Sequence, residues 1–459
     1  MNIVQFLNCI HMKNLFTVLG LLASGLLAQG QSILQGYIAY GLEHNLGIAQ
    51  QELALEKRVH ALREAKALFY PRLAFLGNYF LAGGGRTVDF PAGDLLNPVY
   101  ATLNQLTQSS QFPDLENQSI LLNPNNFYDL RFRVSVPLLN SETPYNHRIK
   151  QQQLDLQRVE AAQYQRELVR DIKVAYFRYL QSLEAIAIYQ KALTLVTENR
   201  RVNESLYRNE LVNKTAVIRA EQEVIRFQSL LERAESTSGT ARAYFNFLLN
   251  RDFSREIEVE DAYTQVAFAL PDRSGVLARE ELAQLQIAQD INAQVLGLTQ
   301  SANRPRVNAF ADMGSQGFDW EFTDQSRYYF VGVAMEWDLF AFGQNRHKAA
   351  QVQTEQRLLE SRAVHLKDQL NLQAVSAWDD YTAAVSQYEA YQSVLRSSRT
   401  NYKDFERLYR EGQVLYVELL DAQNQMIQAE LQVNIALYET HIKAAEIERA
   451  STLYNINQQ

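Results

Sequence analysis

The sequence predicts a mainly α-helical, internally duplicated chain. Its long helical hairpins carry four β-strands that have to be shared among copies in one membrane β-barrel. Three observations predict this. Breakers are scarce, with 19 glycines and 9 prolines in 459 residues, and long tracts of Gln, Ala, Leu, Glu and Arg contain neither. A stretch near the end, Leu408-Tyr409-Arg410-Glu411-Gly412-Gln413-Val414 followed by Asp421-Ala422-Gln423, has a weaker copy mid-chain. That copy is Leu206-Tyr207-Arg208-Asn209-Glu210-Leu211-Val212, followed by Ala220-Glu221-Gln222. Finally, residues 127–138 alternate strictly between apolar and polar side chains.

Taken in order, residues 1–31 read as a secretory signal. Met12-Lys13-Asn14 is a short charged start, which makes Met12 a candidate initiator, and Leu15 to Leu27 is an apolar run too short to span a bilayer comfortably. Residues 32–271 form the first repeat. A helical tract over 32–69 shows Leu34, Ile38, Leu42 and Leu46 at helical spacing, and it stops before Pro71. A strand follows over 72–81. Residues 82–126, with Gly83-Gly84-Gly85, four prolines and many Asn, Gln and Ser, read as a long polar loop. The strand over 127–139 puts Tyr128, Leu130, Phe132, Val134 and Val136 on one face, and Asp129, Arg131, Arg133 and Ser135 on the other. A tract without proline or glycine then runs from Tyr145 to Asn209, long enough for a helix of roughly 95 Å at 1.5 Å per residue. Its return partner is expected over 212–250, and a short mixed linker over 251–271.

Residues 272–459 repeat the plan. A helix ends at Arg304-Pro305-Arg306, which mirrors Tyr70-Pro71-Arg72. A strand over 306–314, a short loop and a strand over 327–339 follow. Tyr329, Val331, Val333, Met335, Trp337 and Leu339 share one face of the last strand. A long helix over 344–410 and its partner over 414–453 form the second hairpin. Four strands cannot close a barrel that holds water, since eight barely enclose side chains. Three copies would supply twelve.

At this point the residues resemble the TolC family of outer-membrane efflux proteins. Tyr40-Gly41-Leu42-Glu43-His44-Asn45 is similar to the family's opening motif, and Ala65 through Leu73 to its helix-to-strand junction. Arg279-Glu280-Glu281-Leu282 resembles the start of its second half, and Glu418-Leu419-Leu420-Asp421-Ala422-Gln423 the motif past its second hairpin tip. The resemblance implies a homotrimer with a twelve-stranded barrel in the outer-membrane lipid of a Gram-negative bacterium. A helical barrel would extend into the periplasm. It further implies a passive exit duct for a tripartite efflux or type I secretion system, opened at its helical tips by a periplasmic adaptor (membrane fusion) protein and, through it, an inner-membrane pump.

By position, the resemblance makes Glu418, Asp421 and Tyr409 the pore constriction. Glu418 and Asp421 are three residues apart and share a helix face, and threefold symmetry would turn each into an acidic ring that favours cations. Asn209, Leu211, Glu411, Gly412 and Val414 become the adaptor-contacting tip residues. The family's ionic gate is not reproduced: Val414 stands where its arginine would be and Ala216 where its acid would be.

The chemistry-bearing residues offer little else. With a formal net charge of -8 the chain has no basic footprint for nucleic acid. Its one cysteine, Cys9, excludes an intrachain disulfide and a Cys-based metal cluster. The seven histidines form no His-Glu-x-x-His, and no Gly-x-Ser-x-Gly elbow is present. No catalytic residue, cofactor or metal ligand is therefore expected. The competing reading is a non-channel periplasmic coiled-coil scaffold built from the same helices, and the alternating strands count against it.

Overall fold

The computed structural model describes residues 32–260, 263–266 and 279–451. The expected signal segment, residues 267–271 of the linker and the opening of the second repeat lie outside them. The elements are α1 (Ile33–His44), α2 (Leu46–Ala67), β1 (Arg72–Phe80), β2 (Thr87–Phe90), α3 (Ala92–Thr107), β3 (Gln118–Leu121), β4 (Phe127–Leu139), α4 (Glu142–Arg208), α5 (Lys214–Leu248), α6 (Glu280–Ser301), β5 (Arg306–Phe318), β6 (Arg327–Glu336), α7 (Gln344–Arg410) and α8 (Tyr416–Ala450). The duplication extends to element length. Helices α4 and α7 each have 67 residues, α5 and α8 each 35, and α2 and α6 each 22.

The chain divides into two compact units, and these are not the two repeats. One comprises Met1–Arg58, Gln153–Asp290 and Arg357–Gln459; the other comprises Val59–Gln152 and Ile291–Gln356. Each repeat contributes residues to both, so the repeats are units of sequence and not of packing.

The second unit contains a four-stranded antiparallel sheet in the order β1-β4-β5-β6. Its register sets its chemistry. Leu73, Val134, Ala311 and Val331 lie in one cross-strand row, and Phe75, Phe132, Met313 and Tyr329 in the next on the same face. These apolar side chains are open to the surroundings, with Phe132 56% and Val331 74% exposed. The opposite face holds the charges. Arg133 donates from Nε and Nη2 to the two Asp312 carboxylate oxygens at 2.7 and 2.6 Å, Arg131 pairs with Asp129, and Tyr328 Oη donates to Asp129 Oδ1 at 2.8 Å. Asp129 and Asp312 are buried, at 8% and 5% exposure. A soluble sheet arranges its faces the other way round, with apolar side chains covered and charges in water.

Tyr128 departs from this pattern. Although it lies on the apolar side, it is fully buried, because the β5–β6 turn folds over it. Its ring stacks on Trp320 at 5.4 Å, and its hydroxyl donates to the Glu321 carbonyl at 2.8 Å.

Strand ends differ from the sequence expectation where partners decide them. Strand β5 runs on to Phe318, beyond the expected 314, because β4 continues alongside and pairs Phe127 with Phe318. Strand β6 stops at Glu336, opposite Arg306, because the preceding Pro305 has no N–H with which to continue the ladder. Trp337 and Leu339 therefore lie beyond the strand, and Trp337 Nε1 donates to the Asn303 carbonyl at 3.0 Å.

The 82–126 segment needs correcting as well. It is not a structureless loop: β2 and β3 pair antiparallel, and the 16-residue helix α3 lies between them. The asparagines that make it look like a loop are clamps. Asn97 donates to the Leu115 carbonyl at 3.0 Å and accepts from the Leu115 N–H at 2.8 Å; Asn104 does the same for Phe112 at 2.7 and 3.1 Å. Each amide stands in for a neighbouring strand.

The first unit is helical. Its largest buried cluster joins Leu34 and Ile38 of α1, Ile172, Ala175 and Tyr176 of α4, Phe245 of α5 and Ile442 of α8. The expected single helix over 32–69 is broken at Asn45, whose backbone is extended. Its Oδ1 accepts from Gly47 N and Ile48 N at 2.8 and 3.2 Å, capping α2, while its Nδ2 donates to the Leu248 carbonyl at 2.7 Å. One buried amide thus ends α1, starts α2 and fixes both to α5. Nearby, Arg449 of α8 donates to Glu281 at 2.9 Å, and Arg279 donates to the same carboxylate. Burial would raise the pKa of Glu281, but the two guanidiniums outweigh it and hold it at about 2.

No described helix is long and apolar enough to cross a membrane; the sheet is where Phe132 and Val333 stand bare, at 56% and 65% exposure. Replacing Phe132 or Val333 by lysine should therefore cost about 2–4 kcal/mol at mid-bilayer and reduce membrane assembly. The check is the yield of heat-modifiable, membrane-inserted protein. Normal insertion of both variants would mean the faces are assigned the wrong way round.

Candidate functional site at the hairpin tips

The two hairpins turn through the same local chemistry, offset by 202 residues, as Leu206 to Leu408 shows. At the first tip, Glu210 N donates to the Tyr207 carbonyl at 3.0 Å and Leu211 N to the Leu206 carbonyl at 2.9 Å. At the second, Gly412 N donates to Tyr409 at 3.0 Å and Gln413 N to Leu408 at 2.9 Å. Both are Schellman endings, which need a left-handed residue just past the helix. Gly412 supplies it at φ +70°, whereas Glu210 adopts φ +62° with a side chain to accommodate.

The return helices are capped by two halves of one device. A full capping box pairs a side chain at the cap with one three residues on. At α5 only the forward half exists: Asn213 Oδ1 accepts from Ala216 N at 3.1 Å. At α8 the cap position is Leu415, and only the reverse half exists: Leu415 N donates to Glu418 Oε2 at 2.8 Å. Glu418 therefore has a structural duty besides its charge, and Ala216 occupies the equivalent position at the first tip.

The structure brings Glu418 and Asp421 together as expected. Both are exposed on one face of α8, beside a shallow groove of about 310 Å³ shared with Asn401, Phe405, Val417 and Ala422. Asp421 Oδ2 accepts from Gln425 at 2.8 Å. Tyr409, expected with the acids, does not share that face within the chain. It is only 7% exposed, its ring packs on Tyr416 at 5.6 Å, and its hydroxyl donates to Asn203 Oδ1 on α4 at 2.6 Å. It is drawn inward because Ala216, Ala220, Tyr402, Tyr416 and Leu419 form an apolar cluster behind the tips. Burial raises the Tyr409 pKa and pushes that of Tyr402 up to about 12, so both rings stay neutral and the Tyr409–Asn203 bond is a neutral one.

Of the five tip residues, Leu211, Glu411, Gly412 and Val414 line a groove of about 820 Å³ between the two tips, with Val212, Arg219 and Tyr416 among its walls. Asn209 is not in its lining; its Nδ2 donates to the Ser205 carbonyl at 2.9 Å. Reading the sequence missed Asn203, which is fully buried, and Asn199, whose Nδ2 donates to Gln423 on α8 at 2.5 Å. Spaced four apart, these two asparagines form a polar seam between α4 and the second hairpin. Their polarity on an otherwise apolar helix face was the available signal.

Residues 276–452 match the family model for outer membrane efflux proteins. This region is an outer membrane efflux protein domain. The TolC-family resemblance is thereby borne out over this region. No curated protein sequence matches. Solved structures extend the likeness in fold to nearly the whole chain. The CmeC outer membrane channel of Campylobacter jejuni is 11% identical with a TM-score of 0.74, covering 91% of this chain and 85% of that one. VceC of Vibrio cholerae is 14% identical at 0.72, covering 91% and 95%. The open-state MtrE channel of Neisseria gonorrhoeae is 16% identical at 0.71, covering 91% and 88%.

Two outcomes are expected at the tips. Gly412→Ala should lower hairpin stability by about 1 kcal/mol, since the left-handed position then carries a side chain; the thermal midpoint reads this. Tyr409→Phe leaves a buried Asn203 acceptor unpaired and should cost about 1–3 kcal/mol. Amide exchange over 205–213 should accelerate in that variant, and unchanged exchange would show that the bond does not hold the tips together.

Proposed function

We propose that three copies of this chain join their sheets into one twelve-stranded barrel in the outer membrane, and that their helical hairpins form a passive exit duct for an efflux or secretion system. The observation that carries this reading is the reversed sheet, with bare apolar side chains on one face and part-buried Arg–Asp pairs on the other. That is the polarity of a barrel with lipid outside and water inside. The unpaired backbone of β1 and β6, which close the sheet order at either end, supplies the edges along which copies would join. The efflux protein domain agrees with it.

At the hairpin tips, Glu418 and Asp421 of each copy form acidic rings. Tyr409 acts behind them, holding α7 to α4 through Asn203. The periplasmic adaptor docks on the groove between the tips, touching Leu211, Glu411, Gly412 and Val414, with Asn209 at its margin. An inner-membrane pump acts through that adaptor and supplies the energy. Opening separates the hairpins and breaks the neutral seam of Tyr409, Asn203, Asn199 and Gln423. Such bonds are worth about 1 kcal/mol net each, which suits a contact that has to open.

The test is electrical. The wild-type protein, purified in detergent as a trimer, should conduct in planar bilayers with cation preference. Glu418→Gln combined with Asp421→Asn should lower that preference and raise anion conductance. Glutamine still accepts the Leu415 N–H, so the helix cap survives and charge alone is varied. Unchanged selectivity would refute the rings, and a water-soluble monomer that needs no detergent would refute the duct.

A further inference from the structure

The excursion between β1 and β4 has no counterpart of similar length in the second repeat. β1 and β4 are separated by 81–126, whereas β5 and β6 are separated only by 319–326. Helix α3 in this excursion has two well-separated working faces. One is already occupied. Asn97 and Asn104 clamp the returning backbone, Tyr100 packs on Phe112 at 5.5 Å, and a Cβ added at Gly93 would come within 2.4 Å of the Leu115 carbonyl. The adjoining face has Leu96, Val99, Leu103 and Leu106, at spacings of three, four and three, with Leu95 beside them. Its outer members are bare, with Leu95 62% and Leu106 75% exposed.

Three features identify what covers this stripe. The three-four-three spacing is that of a coiled-coil seam, in which a helix packs on copies of itself. The helix carries one charged residue, Asp94, and no lysine or arginine; a helix that lies on an anionic membrane surface is rich in basic residues. The excursion also rises from β1, an edge strand, at the sheet end that holds the β5–β6 turn. Any copy added at that edge brings its own α3 to the same end.

We infer that the α3 helices of three copies pack through Leu96, Val99, Leu103 and Leu106 into a small three-helix cluster at the barrel mouth on the side of the β5–β6 turn. The cluster narrows that mouth, independently of the acidic rings. This rests on the trimeric reading above. The asparagine clamps give the cluster its rigidity, because they hold α3 to its own chain without using the apolar stripe.

The experiment uses the full chain with Cys9→Ser, purified in detergent. Leu103→Cys lies on the seam, whereas Gln105→Cys lies on the far side of the same helix. A short bis-maleimide should link Leu103→Cys protomers within the trimer and leave Gln105→Cys unlinked. Leu96→Asn with Leu103→Asn should raise single-channel conductance. An intact trimer in which neither cysteine links, or both link equally, would overturn the cluster and leave the duct standing. A fluorophore on Leu103→Cys that is quenched by spin-labelled lipid headgroups would place the stripe on the membrane surface and overturn it too. A chain that stays monomeric by light scattering would remove both the duct and the cluster.

Discussion

The backbone of the four-stranded sheet is the constraint on which the rest depends. A strand whose side chains face lipid cannot leave its N–H and C=O groups unpaired, because no water is available to satisfy them. β1 and β6 each have a partner on one side only. A soluble protein would protect such edges with charge, proline or a covering element. Here the edges sit beside Leu73, Phe75, Tyr329 and Val331, all exposed. Nothing in that pattern protects a lone protomer. Everything in it suits the proposed pairing with another copy, and the Arg–Asp pairs keep charge on the opposite face from the bare apolar side chains.

At the hairpin tips the demands are different. In the proposed duct the hairpin tips have to be stable when closed and separable when engaged. The apolar cluster of Ala216, Ala220, Tyr416 and Leu419 gives stability, and the seam of Tyr409, Asn203, Asn199 and Gln423 gives a direction along which parting costs little. The two tips share their turn geometry but divide the capping box between them. At one tip the cap is a neutral asparagine; at the other it is a glutamate. Only the second hairpin therefore brings a carboxylate to the start of its return helix. Duplication supplied the backbone, and divergence at Asn213/Leu415 and Ala216/Glu418 placed the charge.

Much of this was legible in the sequence. The long helices follow from the absence of breakers, and the strands from period-two alternation at Tyr128 to Val136 and Tyr329 to Met335. The pairing of Glu418 with Asp421 on one helix face follows from spacing alone. What escaped were positions where a polar side chain does backbone work. Asn45 looks like one more polar residue in an amphipathic helix, yet it ends that helix. Asn97 and Asn104 look like loop composition, yet they clamp a helix to the returning backbone at Leu115 and Phe112. Tyr409 looks like a channel aromatic, but three-dimensional packing buries it against Asn203, more than 200 residues away in the chain. Strand ends were misjudged where the partner strand, and not the strand's own residues, set the limit.

The equal lengths of α4 and α7, and of α5 and α8, restrict how such a chain can evolve. Deleting one residue from only one long helix would rotate everything beyond it by about 100° and shift it by 1.5 Å, turning the buried side chains of that hairpin outward while its twin stayed in register. Gains and losses of residues within the helices are therefore tolerable only in matched pairs or in whole heptads. Length variation among descendants should accumulate instead in the segment after β1, where 81–126 is far longer than its counterpart 319–326 in the other repeat.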